Sequence, residues 1–164
     1  MANSNSDFAR QVGRKAVPDA FDQCGGTAIY TFTRGSESFA ANDTVNMGPL
    51  PGGMVPTGVA LAFIRTGTDA TLVAQVGIMN AALTDLDVTA ASGGASWGST
   101  AATDSSRVVN GPAFNQPNAA FYNVQKSDSP RDIGIKFTGA AATPANITKI
   151  VLAIEFKPAS SANT

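Results

Sequence analysis

A chain of 164 residues is long enough for one domain with appended arms, and at this length roughly 68–70% of the unfolded chain's surface is hidden on folding, so a core needs no staples. Hydrophobic residues make up 43% and charged residues only 14%, against roughly 25% in ordinary soluble domains; this suits a protein that stacks against neighbours better than a free cytosolic enzyme. The net charge of −1 offers no basic field for nucleic acid, the lack of histidine removes Ser-His-Asp and Cys-His nucleophiles and histidine zinc ligands, and the single Cys24 excludes an intrachain disulfide.

Residues 1–26 read as a separate N-terminal arm. Phe8, Val12, Val17 and Phe21 are spread thinly among Arg10, Arg14, Lys15 and three aspartates. Ser6 is a candidate N-cap for one or two helical turns, and Gly13 weakens their interior. The segment is either an arm ordered on another surface or a frayed terminus. Its first residues lack the apolar centre of a secretory signal, and no run reaches the ~18 apolar residues of a membrane span. The chain is therefore expected to act where it is made or inside a larger object.

Strand signals dominate after Gly26. TAIYTFTR (27–34) alternates, with Ile29 and Thr31 on one face and Tyr30 and Phe32 on the other. GSESFAAND (35–43) is a turn-rich link with Phe39 as its anchor, and TVNMGPL (44–50) is a strand carrying Val45 and Met47. PGGMVPTG (51–58) is a proline-glycine knot. Pro49 and Pro51 cannot donate to a ladder and Gly52–Gly53 permits a reversal, so the knot reads first as a corner and second as a functional loop. VALAFIRT (59–66) and TLVAQVGIM (71–79), joined across GTDA, read as a hairpin. Residues 80–91 fit a short helix or a strand. The loop 91–106 carries Trp97, either an exposed contact or the loop's own plug. RVVNG (107–111), AFYNVQ (120–125), DIGIKFTG (132–139) and ITKIVLAIEF (147–156) complete about eight short strands. Residues 158–164 form a solvated tail. The pattern predicts an all-β, single-domain β-sandwich or small barrel over 27–157.

Chemistry is hard to place. Asp85 and Asp87 would share one face of a strand, but a lone Asp-x-Asp with no further ligand at calcium-loop spacing reads as two solvated carboxylates. GSES and SGGAS have no base to activate a serine, and no phosphate-cradling glycine motif occurs. No catalytic residue, metal or cofactor is assigned. Three classes remain: a structural subunit, a carbohydrate-binding sandwich leaning on Trp97, and a histidine-free hydrolase without a motif.

The order of elements from FAANDTVNMGPLPGGMVPTGVALAF, with its Leu50-Pro51-x-Gly53, through TLVAQVGI to NITKIVLAIEF resembles small structural proteins of tailed bacteriophages. These are made beside the major capsid protein and often serve as head decoration or cement proteins. The resemblance covers about 27–157 and departs from the pattern at 80–91 and 91–118, which leaves a tail or fibre accessory role open. It implies a jelly-roll-like sandwich, no enzyme activity, a homotrimer, and a place on the capsid surface of a virion built in the host cytoplasm. It also implies the major capsid protein as partner, with Phe8, Arg10, Arg14, Lys15, Val17 and Phe21 laid on the shell. Neither nucleic acid nor membrane is expected as a partner.

Overall fold

Alternation of large apolar residues with small or polar ones sets the architecture. The computed structural model describes residues 3–5, 25–33, 39–66, 73–94, 96–101, 119–138 and 146–159. The described strands are β1 (Asn3–Asn5), β2 (Gly26–Thr33), β3 (Thr44–Leu50), β4 (Met54–Thr66), β5 (Val73–Ile78), β6 (Gly98–Ala101), β7 (Arg131–Thr138) and β8 (Asn146–Pro158). They form two sheets, a five-stranded one in the order β1-β3-β7-β5-β6 and a three-stranded one in the order β2-β8-β4. All pairings are antiparallel except β1 with β3, which is parallel. The chain is an all-β sandwich.

Each strand turns its heavier residues inward. From the three-stranded sheet come Tyr30 and Phe32, Leu61 and Phe63, and Ile150, Leu152, Ile154 and Phe156. Val45, Met47, Val76, Ile78, Ile133, Ile135 and Phe137 face them from the five-stranded sheet. All are at most 4% exposed, which is the side-chain period of two expressed as burial. Phe39, in the link before β3, closes one end of the core. Its ring stacks on Phe137 at 4.4 Å and meets Phe32 at 5.8 Å, so an aromatic seam joins both sheets.

The proline-glycine knot is a corner between sheets. Pro51–Gly53 is a turn from β3 in one sheet to β4 in the other. Gly53 has a φ of 77°, where a side chain would strain the backbone. The turn is held by Gly53 N–H on the Ser127 carbonyl (2.7 Å) and Ala159 N–H on the Gly53 carbonyl (3.0 Å). Pro56 sits within β4, an edge strand, beside a register shift between Pro56 and Gly58.

Two local expectations are corrected. The 59–66 and 71–79 segments do not pair as a hairpin. Strand β4 pairs with β8 along its length, and β5 lies in the opposite sheet between β6 and β7. Their apolar faces meet across the core, a placement that the short Gly/Asp link cannot reveal. Residues 120–125 are not a strand. They begin as the short helix α1 (Ala119–Tyr122), and the buried Ala120, Phe121 and Val124 follow helical spacing rather than alternation. RVVNG (107–111), Cys24 and the tail beyond 159 lie outside the described residues.

A side-chain hydrogen bond crosses the sandwich between β2 and β3. The Tyr30 hydroxyl on β2 donates to the Pro49 carbonyl on β3. The ring lies against Gly48, where a Cβ would collide with it. Burial, and next the nearby Asp132 charge, push the Tyr30 phenol up to about 12 from an ordinary 10.0. The neutral phenol is thus the form the fold favours. Its contribution is complete below pH 10 and is lost as pH rises from about 10 towards about 12. Two pH units correspond to about 2–3 kcal/mol. Urea unfolding of the wild type should therefore show falling stability across that window, with a shallower fall in Tyr30→Phe, which starts about 1 kcal/mol lower at pH 8 for want of the Pro49 bond. Parallel slopes for the two proteins would contradict this assignment.

Candidate assembly interface

The outer faces of the two sheets are finished differently. On the five-stranded sheet the segment 79–89 folds back over β3, β5 and β7. Met79 and Leu86 form an isolated bridge at its base, and both are buried. Gly77 and Gly134, partners in the β5–β7 ladder, leave the room this cover needs: a Cβ on Gly134 would strike the Met79 sulfur, and one on Gly77 would touch Leu86 at 3.4 Å. Thr44 Oγ1 donates to the Leu83 carbonyl at 3.2 Å. Thr44 and Asn46, outward residues of β3, are buried.

The aspartates serve this cover. They lie in a bend and in irregular backbone of the flap rather than on a strand face, which corrects the sequence expectation. Asp85 accepts from Lys136 Nζ on β7 at 2.7 and 2.9 Å, and this hydrogen bond holds its carboxyl below the usual value. Partial burial pushes the Asp87 carboxyl up. Hydrogen bonds from Ser92 Oγ (2.6 Å), Thr89 N–H (2.9 Å) and Thr89 Oγ1 (3.0 Å) outweigh that and bring it below the usual value. Both carboxylates are partly solvated and also tie the flap down. Among the described residues no group of three or more His, Cys, Asp or Glu could hold a metal.

The neighbouring loops are tied in the same way. Arg131 donates from Nη1 to the Ala91 carbonyl (3.0 Å) and from Nη2 to the Gln125 carbonyl (2.7 Å). Gly93 has a φ of 97°, and its tight approach to the Ala120 carbonyl leaves no space for a Cβ.

Trp97 is 0% exposed, so it is not a loop contact within this chain. Its ring meets Phe121 edge-on at 5.5 Å, and its backbone N–H donates to the Val76 carbonyl at 2.7 Å. The loop folds it inward as a plug because the indole has more apolar area to bury than any neighbour in this Ser/Gly-rich stretch. Phe8, Arg10, Arg14, Lys15, Val17 and Phe21 lie outside the described residues. The arm's Asn3–Asn5 forms β1, paired to Thr44–Asn46.

Among the described residues the outer face of the three-stranded sheet has no such cover, although Ala62 is buried and Thr31, Ala60, Val151 and Ala153 are half-buried. Its rows follow from the register. Thr27, Glu155 and Gly58 form one; Ile29, Ala153 and Ala60 the next; Thr31, Val151 and Ala62 the third; Thr33, Lys149 and Ile64 the fourth. The middle rows hold no charge. Ile29 is 68% exposed and Ile64 41%, two of the four large hydrophobics standing out from the described surface. A flat, apolar, charge-poor strip on a sheet face is what a buried subunit contact looks like before it is covered. The sequence carried a signal for it. The central solvent-side positions of TAIYTFT and KIVLAIE hold Ile29, Thr31, Val151 and Ala153, with charge only at the ends, Lys149 and Glu155.

No protein-family model and no curated protein matches the chain. Among solved structures it is similar to a chain of the capsid of Ralstonia phage GP4, at 26% identity and a TM-score of 0.64, over 98% of this chain and 100% of that one. It is also similar to a chain of the Cyanophage Pam1 capsid asymmetric unit, at 17% identity and a TM-score of 0.46, over 89% and 94% of the two chains.

Two outcomes check the roles assigned here. Asp87→Ala should lower stability by about 1 kcal/mol at pH 7 through its lost hydrogen bonds. Because a depressed carboxyl stabilises above its ordinary pKa of 3.8 and ceases to as pH falls through its lower folded value, the melting curves of variant and wild type should converge as pH falls below 3.8. Trp97→Ala should cost about 3–5 kcal/mol, a core-cavity value that denaturant unfolding separates from the near-zero effect of removing a surface contact.

Proposed function

We propose that this protein is a structural subunit of a bacteriophage virion, built into the capsid and held there by its uncovered sheet face. The observation that carries the reading is the full-length likeness to a chain of the GP4 capsid, 26% identical over 98% of this chain. The uncovered strip on β2, β8 and β4 supports it, because it supplies a surface suited to lattice contacts. So does the composition, since a subunit surrounded by neighbours needs little charge to stay in solution.

The finer role is decoration of the shell. In this reading the chain is a cement protein that binds the major capsid protein lattice, with Phe8, Val17 and Phe21 set on the shell and Arg10, Arg14 and Lys15 reaching acidic groups there. A closed homo-oligomer such as a trimer multiplies weak contacts of this kind by avidity. The role requires no catalysis and no cofactor. With Trp97 buried, a carbohydrate-binding reading loses the aromatic on which it leaned.

Co-sedimentation with phage shells stripped of this protein tests the reading. The wild type should bind at a fixed ratio to the shell protein. Ser in place of Phe8, Val17 and Phe21 should leave far-UV circular dichroism and melting unchanged while binding is lost. A folded wild type that stays in the supernatant at every concentration would overturn the role, and full binding by the triple variant would overturn the part given to the arm.

A further inference from the structure

We infer that the uncovered face of the three-stranded sheet pairs with the same face of a second copy across a two-fold axis lying in the interface perpendicular to β8. The inference rests on the reading of this face as an assembly contact and names its partner. In this arrangement the two charged ends of the face are complementary.

Charge decides between the two ways of laying the face on itself. On the outward side of β8, Lys149 and Glu155 stand at opposite ends of an uncharged stretch containing Val151 and Ala153. Six residues of strand separate them by about 20 Å. Neither forms an ion pair among the described residues. An axis parallel to β8 would set Lys149 on Lys149 and Glu155 on Glu155 of the second copy. An axis perpendicular to β8, passing over Leu152, runs the two β8 strands antiparallel and sets Lys149 on Glu155 at both ends. Like charges brought together at an interface are disfavoured and opposite ones select register, so the perpendicular axis is chosen. Lys157, two residues past Glu155, falls over Ile147 of the second copy, because Leu152 is the midpoint of β8.

Shape agrees. The same operation lays the row of Ile29, Ala153 and Ala60 over that of Thr31, Val151 and Ala62. It lays the row of Thr33, Lys149 and Ile64 over that of Thr27, Glu155 and Gly58. Val151 thus meets Ala153 and Ile29 meets Thr31, a longer side chain on a shorter one in sheets packed about 10 Å apart, while Ile64 meets the Glu155 side chain that lies over Gly58. Such a contact is isologous and closes at two copies.

Charge reversal tests the arrangement in the absence of shells. Lys149→Glu and Glu155→Lys are surface changes, and each should keep the wild-type melting curve. By sedimentation velocity the wild type should show an association step that either single variant weakens by about tenfold or more, because each sets like charges together at both ends. The double variant should recover the wild-type association. An equimolar mixture of the two single variants should recover it too, by forming only mixed pairs. Association that is unchanged in the single variants, a double variant that fails to recover, or a wild type without any association step would overturn the inference. If the swaps behave as expected but the protein ignores shells, the virion role fails and the pairing stands.

Discussion

Strand β8 is hydrogen-bonded along both edges, to β2 and to β4, and this double pairing fixes what each of its two faces can do. With its backbone groups satisfied laterally, the strand presents Ile150, Leu152, Ile154 and Phe156 to the core and the opposite set to the outside. The inward residues need a second apolar layer, which β3, β5 and β7 supply. The register with β2 and β4 then aligns the outward residues into rows. Core and candidate interface are two sides of one alternation, and a shift of one residue would exchange them.

Attachments between the sheets keep that register in place. Tyr30 reaches from β2 to the Pro49 carbonyl, Phe39 lays its ring on Phe137, and the Pro51–Gly53 corner carries the chain from one sheet to the other. Gly48 is part of the same device, since the Tyr30 ring occupies the space a side chain would fill. These contacts are few, but each ties groups that are far apart in sequence or lie in opposite layers.

The sequence made the strands and their inward faces legible wherever alternation was clean. Ile133, Ile135 and Phe137, and the Ile150 to Phe156 series, lie where period two places them. Partnership was not legible, because a strand's own residues do not say which edge it meets; β4 and β5, neighbours in sequence, lie in different sheets. The helix at Ala119–Tyr122 was hidden by its length, a single turn being too short to show a period. The roles of Asp85 and Asp87 depended on Lys136 and Ser92, contacts that no local pattern reveals. The uncovered face could be read in part: Ile29 and Thr31 were assignable to one side of β2, but their alignment with Ala153, Val151, Ala60 and Ala62 required the register.

The flap over the five-stranded sheet has a consequence for growth. A sandwich with two adhesive faces would polymerise into columns, each copy offering the next a fresh surface. Here the segment 79–89, pinned by Lys136 on Asp85 and seated on Gly77 and Gly134, lies over one of those faces with Val88 standing out from it, so a neighbour meets an irregular loop there in place of a flat sheet.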